Sequence, residues 1–237
     1  RISKDEIQHP SFERHDFIGW NYRMSELNCA VALAQTERAE ELINPRKEIG
    51  QIMKAMILAA GLGSRLRPFT NKLPKPLLKI GSGTLIERSL NNLKKLGVDE
   101  FIINISYLGD QIKDAMKSSQ NGTNITFIEE PFPFGTGGAL VNAKAHLGNE
   151  PFMLSTSDII FDFSQTKLPV HVESAHLIAV KNPDHNQKGD FSINKNTVFV
   201  HNERNDFTYS GVSVINPKIL EAHVSREYPF DLWNTKL

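Results

Sequence analysis

Cysteine is almost missing from this chain of 237 residues, with Cys29 as the single example. One thiol closes no intramolecular disulfide, and without a second nearby a cysteine zinc cluster is excluded; Cys29 therefore reads as a small buried side chain. Net charge is missing as well, since Lys+Arg and Asp+Glu balance at 27 each. Nothing in that balance points to a strongly basic face for nucleic acid or an acidic tail for a basic partner, so a small ligand is the better expectation. Long apolar runs are also lacking. No stretch approaches the roughly 20 residues of a membrane helix, and the opening "RISKDEIQHP" has none of the apolar core of a secretory signal, which makes the cytoplasm the expected compartment. Internal repeats and low-complexity tracts are absent. What is present is 40% hydrophobic content, enough to bury the core of one large domain or two small ones.

The character of the chain changes near residue 52, where an acidic-basic helical pattern gives way to short apolar runs. A boundary is placed there, separating residues 1–52 from 53–237. In the first segment, "MSELNCAVALAQTERAEELI" (24–43) puts Leu27, Val31, Ala34 and Leu42 near one face at helical spacing, with Ser25 as N-cap and Asn44-Pro45 interrupting the helix. In the second, "KAMILAA", "EFIINIS", "NITFIEE", "PFMLSTSD" and "HLIAVKN" read as strands buried on both faces. Helical stretches such as 84–96 and 137–146 separate them. Such alternation predicts a parallel, doubly wound α/β sheet. The later runs "DFSIN", "TVFVHN" and "TYSGVSVIN" lack long helices between them and read as a more antiparallel edge carrying ligand contacts.

The most informative stretch is "MILAAGLGSRLRPFTNKLPKPL", residues 56–77. A strand ending at Ala59-Ala60 meets Gly61-Leu62-Gly63-Ser64-Arg65, at the strand terminus where open α/β sheets bind ligands. Glycines let backbone N–H groups approach a phosphate. A dinucleotide fingerprint would need a third glycine where Leu66 stands, and a Walker A loop would need Gly-Lys-Ser/Thr, which is absent. Arg65 supplies a planar fork for phosphate oxygens and Lys75 a compact charge, while Pro68, Pro74 and Pro76 stiffen the chain between and around them. The combination suits a triphosphate clamp.

The pattern G-x-G-[ST]-R-L-x-P-x-T-x-x-x-P-K-P-L in residues 61–77 resembles the signature of the sugar-1-phosphate nucleotidylyltransferases. The resemblance continues through "INISYLGDQI", "EEPFPFGTGGAL", "FMLSTSDIIFD", "HLIAVKNPDHNQKGDF" and "TYSGVSVINP". It implies a three-layer, Rossmann-like (GT-A-like) fold with a mostly parallel sheet, here preceded by a short helical extension. It also implies a reaction between a nucleoside triphosphate and a sugar 1-phosphate that releases pyrophosphate. Under this resemblance Ala59 and Ala60 contact the nucleotide, Gly61, Gly63 and Ser64 cradle the phosphates, Arg65 holds the departing pyrophosphate and Lys75 sits at the reacting α-phosphate. Such chemistry asks for charge neutralisation and alignment more than for a strong base.

The same resemblance implies Mg²⁺, with Asp158 at the metal position; this cation prefers phosphate oxygens plus one or two carboxylates. One departure stands beside it, because the family pattern has Asn-Gly before this aspartate and this chain has Thr156-Ser157. Base and ribose are expected over Gly135, Thr136, Gly137 and Gly138, with Glu130 as a further candidate. For the sugar the matching positions are Asn182, Asp190 and Gly211, while no histidine shows metal-ligand spacing. The nucleobase and the sugar stay open.

Residues 1–52 resemble a different family, the PLP-dependent sugar aminotransferases, through "FIGWNYRMSELNCAVALAQTERAEELINPRKEIG". Only a fragment is present, without the Schiff-base lysine, so a packing or docking role is expected, for an aminotransferase partner or a second copy of the chain. At the other end the family pattern runs on to a second metal carboxylate that this chain stops short of, and Asp231 is not assigned to that role. Two functions therefore follow from the sequence: an active nucleotidylyltransferase, or a shortened nucleotide-binding protein with little catalysis.

Overall fold

A computed structural model describes residues 54–119, 123–161, 168–169, 171–195 and 197–221. The expected helix 24–43, its Ser25 cap, Cys29 and Asp231 lie outside the described residues. The elements are β1 (Lys54–Leu58), the short pair β2 (Lys79–Ile80) and β3 (Gly83–Thr84), α1 (Leu85–Lys95), β4 (Glu100–Ile105), α2 (Gly109–Ser119), β5 (Asn124–Glu129) and α3 (Gly135–Leu147). They continue with β6 (Phe152–Thr156), β7 (Ala175–Lys181), β8 (Ser192–Asn194), β9 (Thr197–Phe199) and β10 (Phe207–Ile215).

A six-stranded sheet runs in the order β5-β4-β1-β6-β10-β7. β1 is central and pairs in parallel with β4 on one side and β6 on the other. Its alternating side chains explain the layering. Ala55 and Ile57 face a core that includes Ile86, Leu90 and Leu93 of α1 and Ile112 and Met116 of α2. Met56 points the opposite way, into a second core with Leu140, Ala143 and Leu147 of α3. Two helices on one face and one on the other give the three-layer α/β arrangement expected from the sequence.

α1 begins where the expected helix 84–96 begins, because Thr84 and Glu87 form a capping box. The Glu87 carboxylate accepts from the Thr84 N–H at 2.8 Å, and Thr84 Oγ1 accepts from the Glu87 N–H at 3.3 Å. The sheet corrects the sequence reading in three places. β5 and β7 are edge strands whose residues are mostly half-buried or exposed, so burial on both faces holds only for the middle of the sheet. β10 is antiparallel, as expected, but lies inside the sheet between β6 and β7 rather than at its edge. The runs at β8 and β9 form their own two-stranded hairpin, with an isolated Phe191–Phe207 bridge toward β10, rather than extending the sheet edge. Gly211, at φ +88°, sits in the β10 irregularity between Tyr209 and Ser213, where the register with β7 shifts.

Candidate active site

From β1 the chain steps to β4 and β5 on one side, then crosses back through α3 to β6 on the other. A crevice therefore opens at the carboxyl ends of β1, β4 and β6, the switch point at which doubly wound sheets bind ligands. A cleft of about 350 Å³ lies there. It is lined by Ala59, Ala60, Gly61, Gly63, Ser64 and Arg65 from the loop after β1 and by Lys75. Its other walls carry Glu130, Gly135, Thr136 and Asp158.

The glycine loop holds its shape through residues that the motif fixes. Gly63 adopts φ +61°, a left-handed backbone, and Thr70, fully buried, donates its hydroxyl to the Gly63 carbonyl at 2.8 Å. A Cβ added at Gly63 would lie 3.0 Å from Thr70 Cγ2 and 3.2 Å from Lys75 Cβ. Gly63→Ala is therefore expected to cost about 1–2 kcal/mol from the backbone alone. It should also push on Lys75. A lower urea midpoint together with a smaller nucleotide-induced rise in Tm checks this, and an unchanged midpoint would contradict it.

Lys75, on the single turn Lys75–Leu77, forms an ion pair with Asp158, which stands two residues past β6. The two side chains are 27% and 32% exposed. Burial opposes ionisation of Asp158. The Lys75 ammonium, the Thr156 hydroxyl and the Asp158 backbone N–H outweigh it and hold the carboxyl below the ordinary carboxylate value. Ser157 donates its N–H to the Leu58 carbonyl at 3.1 Å and so ties the end of β6 to that of β1.

Asn104 and Glu130 carry a contact that sequence reasoning missed. Ala59 N–H donates to Asn104 Oδ1 at 2.9 Å, Asn104 Nδ2 donates to Glu130 Oε1 at 2.8 Å, and Phe134 N–H donates to Glu130 Oε2 at 2.9 Å. Burial pushes the Glu130 carboxyl up, and the two hydrogen bonds only partly offset it. Gly137 and Gly138 are buried in the first turn of α3 and are not among the cleft-lining residues.

The three sugar candidates lie apart from that lining. Asn182 Nδ2 donates to the Asn205 carbonyl at 2.8 Å, and its Oδ1 accepts from Thr208 Oγ1 at 2.9 Å. Asp190 accepts from the Tyr209 N–H at 2.8 Å and from Asn186 Nδ2 at 3.0 Å. Both therefore brace the 182–190 loop against β10. Gly211 backs onto Thr156, whose Oγ1 would lie 2.8 Å from an added Cβ.

Among the described residues no group of three or more His, Cys, Asp and Glu gathers into a metal cage. The Asp158 carboxylate, in a cleft that also holds Arg65 and Lys75, fits a cation that takes most of its ligands from substrate phosphates. Among the described residues no helix is long and apolar enough to cross a membrane.

The fold is shared with solved structures. The inositol-1-phosphate CTP transferase from T. maritima superposes with a TM-score of 0.66 at 22% identity, over 78% of this chain and 79% of that one. HddC from Yersinia pseudotuberculosis, complexed with GMP-PN, superposes with a TM-score of 0.61 at 27% identity, over 77% and 84%. The chain belongs to the nucleotidyl transferase family, whose model matches residues 54–191. It is 41% identical over 181 residues to the N-acetylmuramate alpha-1-phosphate uridylyltransferase of Neisseria meningitidis, covering 72% of this chain and 78% of the relative. It is 32% identical to the mannose-1-phosphate guanyltransferase of Aspergillus fumigatus, of which it spans about half, 51%. Residues 3–72 are also similar to the DegT/DnrJ/EryC1/StrS aminotransferase family, a match that overlaps the first across residues 54–72.

Proposed function

We propose that this chain transfers a nucleoside monophosphate from a nucleoside triphosphate to a sugar 1-phosphate, with UTP and N-acetylmuramate 1-phosphate as its substrates. The likeness to the Neisseria enzyme supports that pair over mannose 1-phosphate with GTP. One observation carries the reading: the glycine loop, Arg65 and Lys75 from the segment after β1, and Asp158 from past the end of β6, line one cleft. A sugar 1-phosphate oxygen attacks the α-phosphorus in line, a new P–O bond forms, and the bond to pyrophosphate breaks.

In this reading the backbone of Gly61, Gly63 and Ser64 holds the triphosphate, Arg65 neutralises the departing pyrophosphate, and Lys75 leans on the α-phosphate. Gly135 and Thr136 face the base, whereas Asn182, Asp190 and Gly211 shape the sugar side through the loop and strand they brace. Asp158 is the carboxylate that would hold Mg²⁺, which supplies further charge neutralisation on the phosphates. Nucleoside triphosphates as substrates support a cytoplasmic location.

Pyrophosphate release with Mg²⁺ tests the function, comparing UTP, GTP, dTTP and CTP against N-acetylmuramate, N-acetylglucosamine, mannose and glucose 1-phosphates. Release with UTP and N-acetylmuramate 1-phosphate is expected. A nucleotide-induced rise in Tm with no release from any pair would instead assign binding without turnover.

We further propose that residues 1–52 form a segment distinct from the nucleotidyltransferase domain 53–237 and serve as a docking arm for a partner, including a second copy. Support comes from the change of sequence character at residue 52 and the likeness of that stretch to aminotransferases. Deleting residues 1–52 should lower the oligomeric mass; unchanged mass and stability would refute the arm.

A further inference from the structure

We infer that Asn104 is a positioning residue of this site, and that Asn104 and Glu130 form a buried hydrogen-bonded strut whose polarity sets the two nucleotide loops against each other. This rests on the nucleotide reading of the cleft given above. Asn104 is 3% exposed and Glu130 4% exposed, and the hydrogen-bonding groups of both are engaged by protein partners. β4 lies between β1 and β5, with Asn104 in register with Leu58 and with Ile128. The Asn104 amide can therefore reach both neighbouring strand ends, and it does.

At one end of the strut stands the N–H of Ala59, the first residue of the phosphate loop; at the other stands the N–H of Phe134, immediately before α3 and the cleft-lining Gly135 and Thr136. Both ends are donors. Each terminal atom of the strut must then accept, and the junction between the two side chains must be one donor facing one acceptor. An Asn amide and an ionised carboxylate satisfy this in a single arrangement, with Oδ1 on Ala59 and Nδ2 on Glu130. Both Glu130 oxygens are engaged by protein donors, so Glu130 acts on the nucleotide through the loop that it holds.

The polarity argument makes distinct demands on variants. In Glu130→Gln one amide N–H must face another donor, at Asn104 or at Phe134. In Asn104→Asp two carboxylates face each other. Combining Asn104→Asp with Glu130→Gln reverses the junction and restores every bond: the carboxylate at 104 accepts from Ala59 and from the amide at 130, whose oxygen still accepts from Phe134.

Each single variant is expected to raise the KM for the nucleoside triphosphate roughly tenfold, the effect of one unpaired buried group. The KM for the sugar 1-phosphate should change less. The double variant should return to within roughly threefold of the parent. UTP-induced stabilisation, read as the rise in Tm, reports the same order without turnover. It therefore tests the strut even if no sugar 1-phosphate yields pyrophosphate, an outcome that would sink the proposed reaction and leave the strut standing. The double variant keeps all the bonds and is the one expected to fold best, so failure of a single variant to fold does not block the test. Equal losses for both substrates, or a double variant whose nucleotide response is no better than that of the worse single, would overturn the inference.

Discussion

Lys75→Ala is expected to lower kcat for pyrophosphate release roughly a thousandfold, at the upper end of what removal of one preorganised charge-stabilising group costs. The reacting groups are both anionic, and alignment fails unless a cation sits between them. The proposed function gives Lys75 that part: it lines the cleft, tied to Asp158 and close against Gly63. Stability should move far less. With side chains 27% and 32% exposed, the ion pair belongs with partly solvated pairs worth about 0–1 kcal/mol. A kcat collapse with a nearly unchanged Tm is the expected signature, and equal losses in both would mean that Lys75 serves the fold.

Asp158→Asn is expected to lower kcat roughly a hundredfold and to flatten the dependence of rate on Mg²⁺ concentration. The amide keeps the shape of the side chain and removes the charge a cation requires. Its effect on stability has a direction in pH. Lys75, Thr156 and the local backbone N–H hold the Asp158 carboxyl below the ordinary value against the opposing effect of burial. The stabilisation is therefore present above the ordinary carboxylate range and is lost as pH falls through the lowered value. Parent and variant should differ slightly in Tm at neutral pH and converge in acid; a gap that widens in acid would contradict the pairing.

Much of this was legible in sequence because the informative residues are neighbours. Lys54 to Leu77 spans strand, glycine turn and clamp within one stretch, and its residues from Leu58 onward line one side of the cleft. The apolar runs of β1, β4 and β6 likewise announced the buried middle of the sheet. What escaped depends on register. Asn104 meets Ala59 and Glu130 across 45 and 26 residues of chain, and only the parallel pairing of three strands brings them together. β7 carries an apolar run, Leu177, Ile178, Ala179 and Val180, as continuous as that of β1, so nothing local marks it as an edge, whereas Thr126 interrupts the apolar residues of β5. Asn182 and Asp190 matched a sugar-binding pattern, yet their short polar side chains are equally suited to bracing a loop, and here they hydrogen-bond to that loop and to β10. α2 offered few landmarks, with Ile112 and Met116 as its fully buried anchors.

The central claim is attack on the α-phosphorus of a nucleoside triphosphate by a sugar 1-phosphate in the cleft at the carboxyl ends of β1 and β6. Phosphorus NMR of the chain incubated with UTP, N-acetylmuramate 1-phosphate and Mg²⁺ follows each phosphorus directly. The expected result is equimolar growth of a pyrophosphate signal and a new diphosphate-diester pair as both substrates decline. Release of inorganic phosphate with the sugar 1-phosphate signal unchanged would mean that water attacks the nucleotide instead, and would contradict the account.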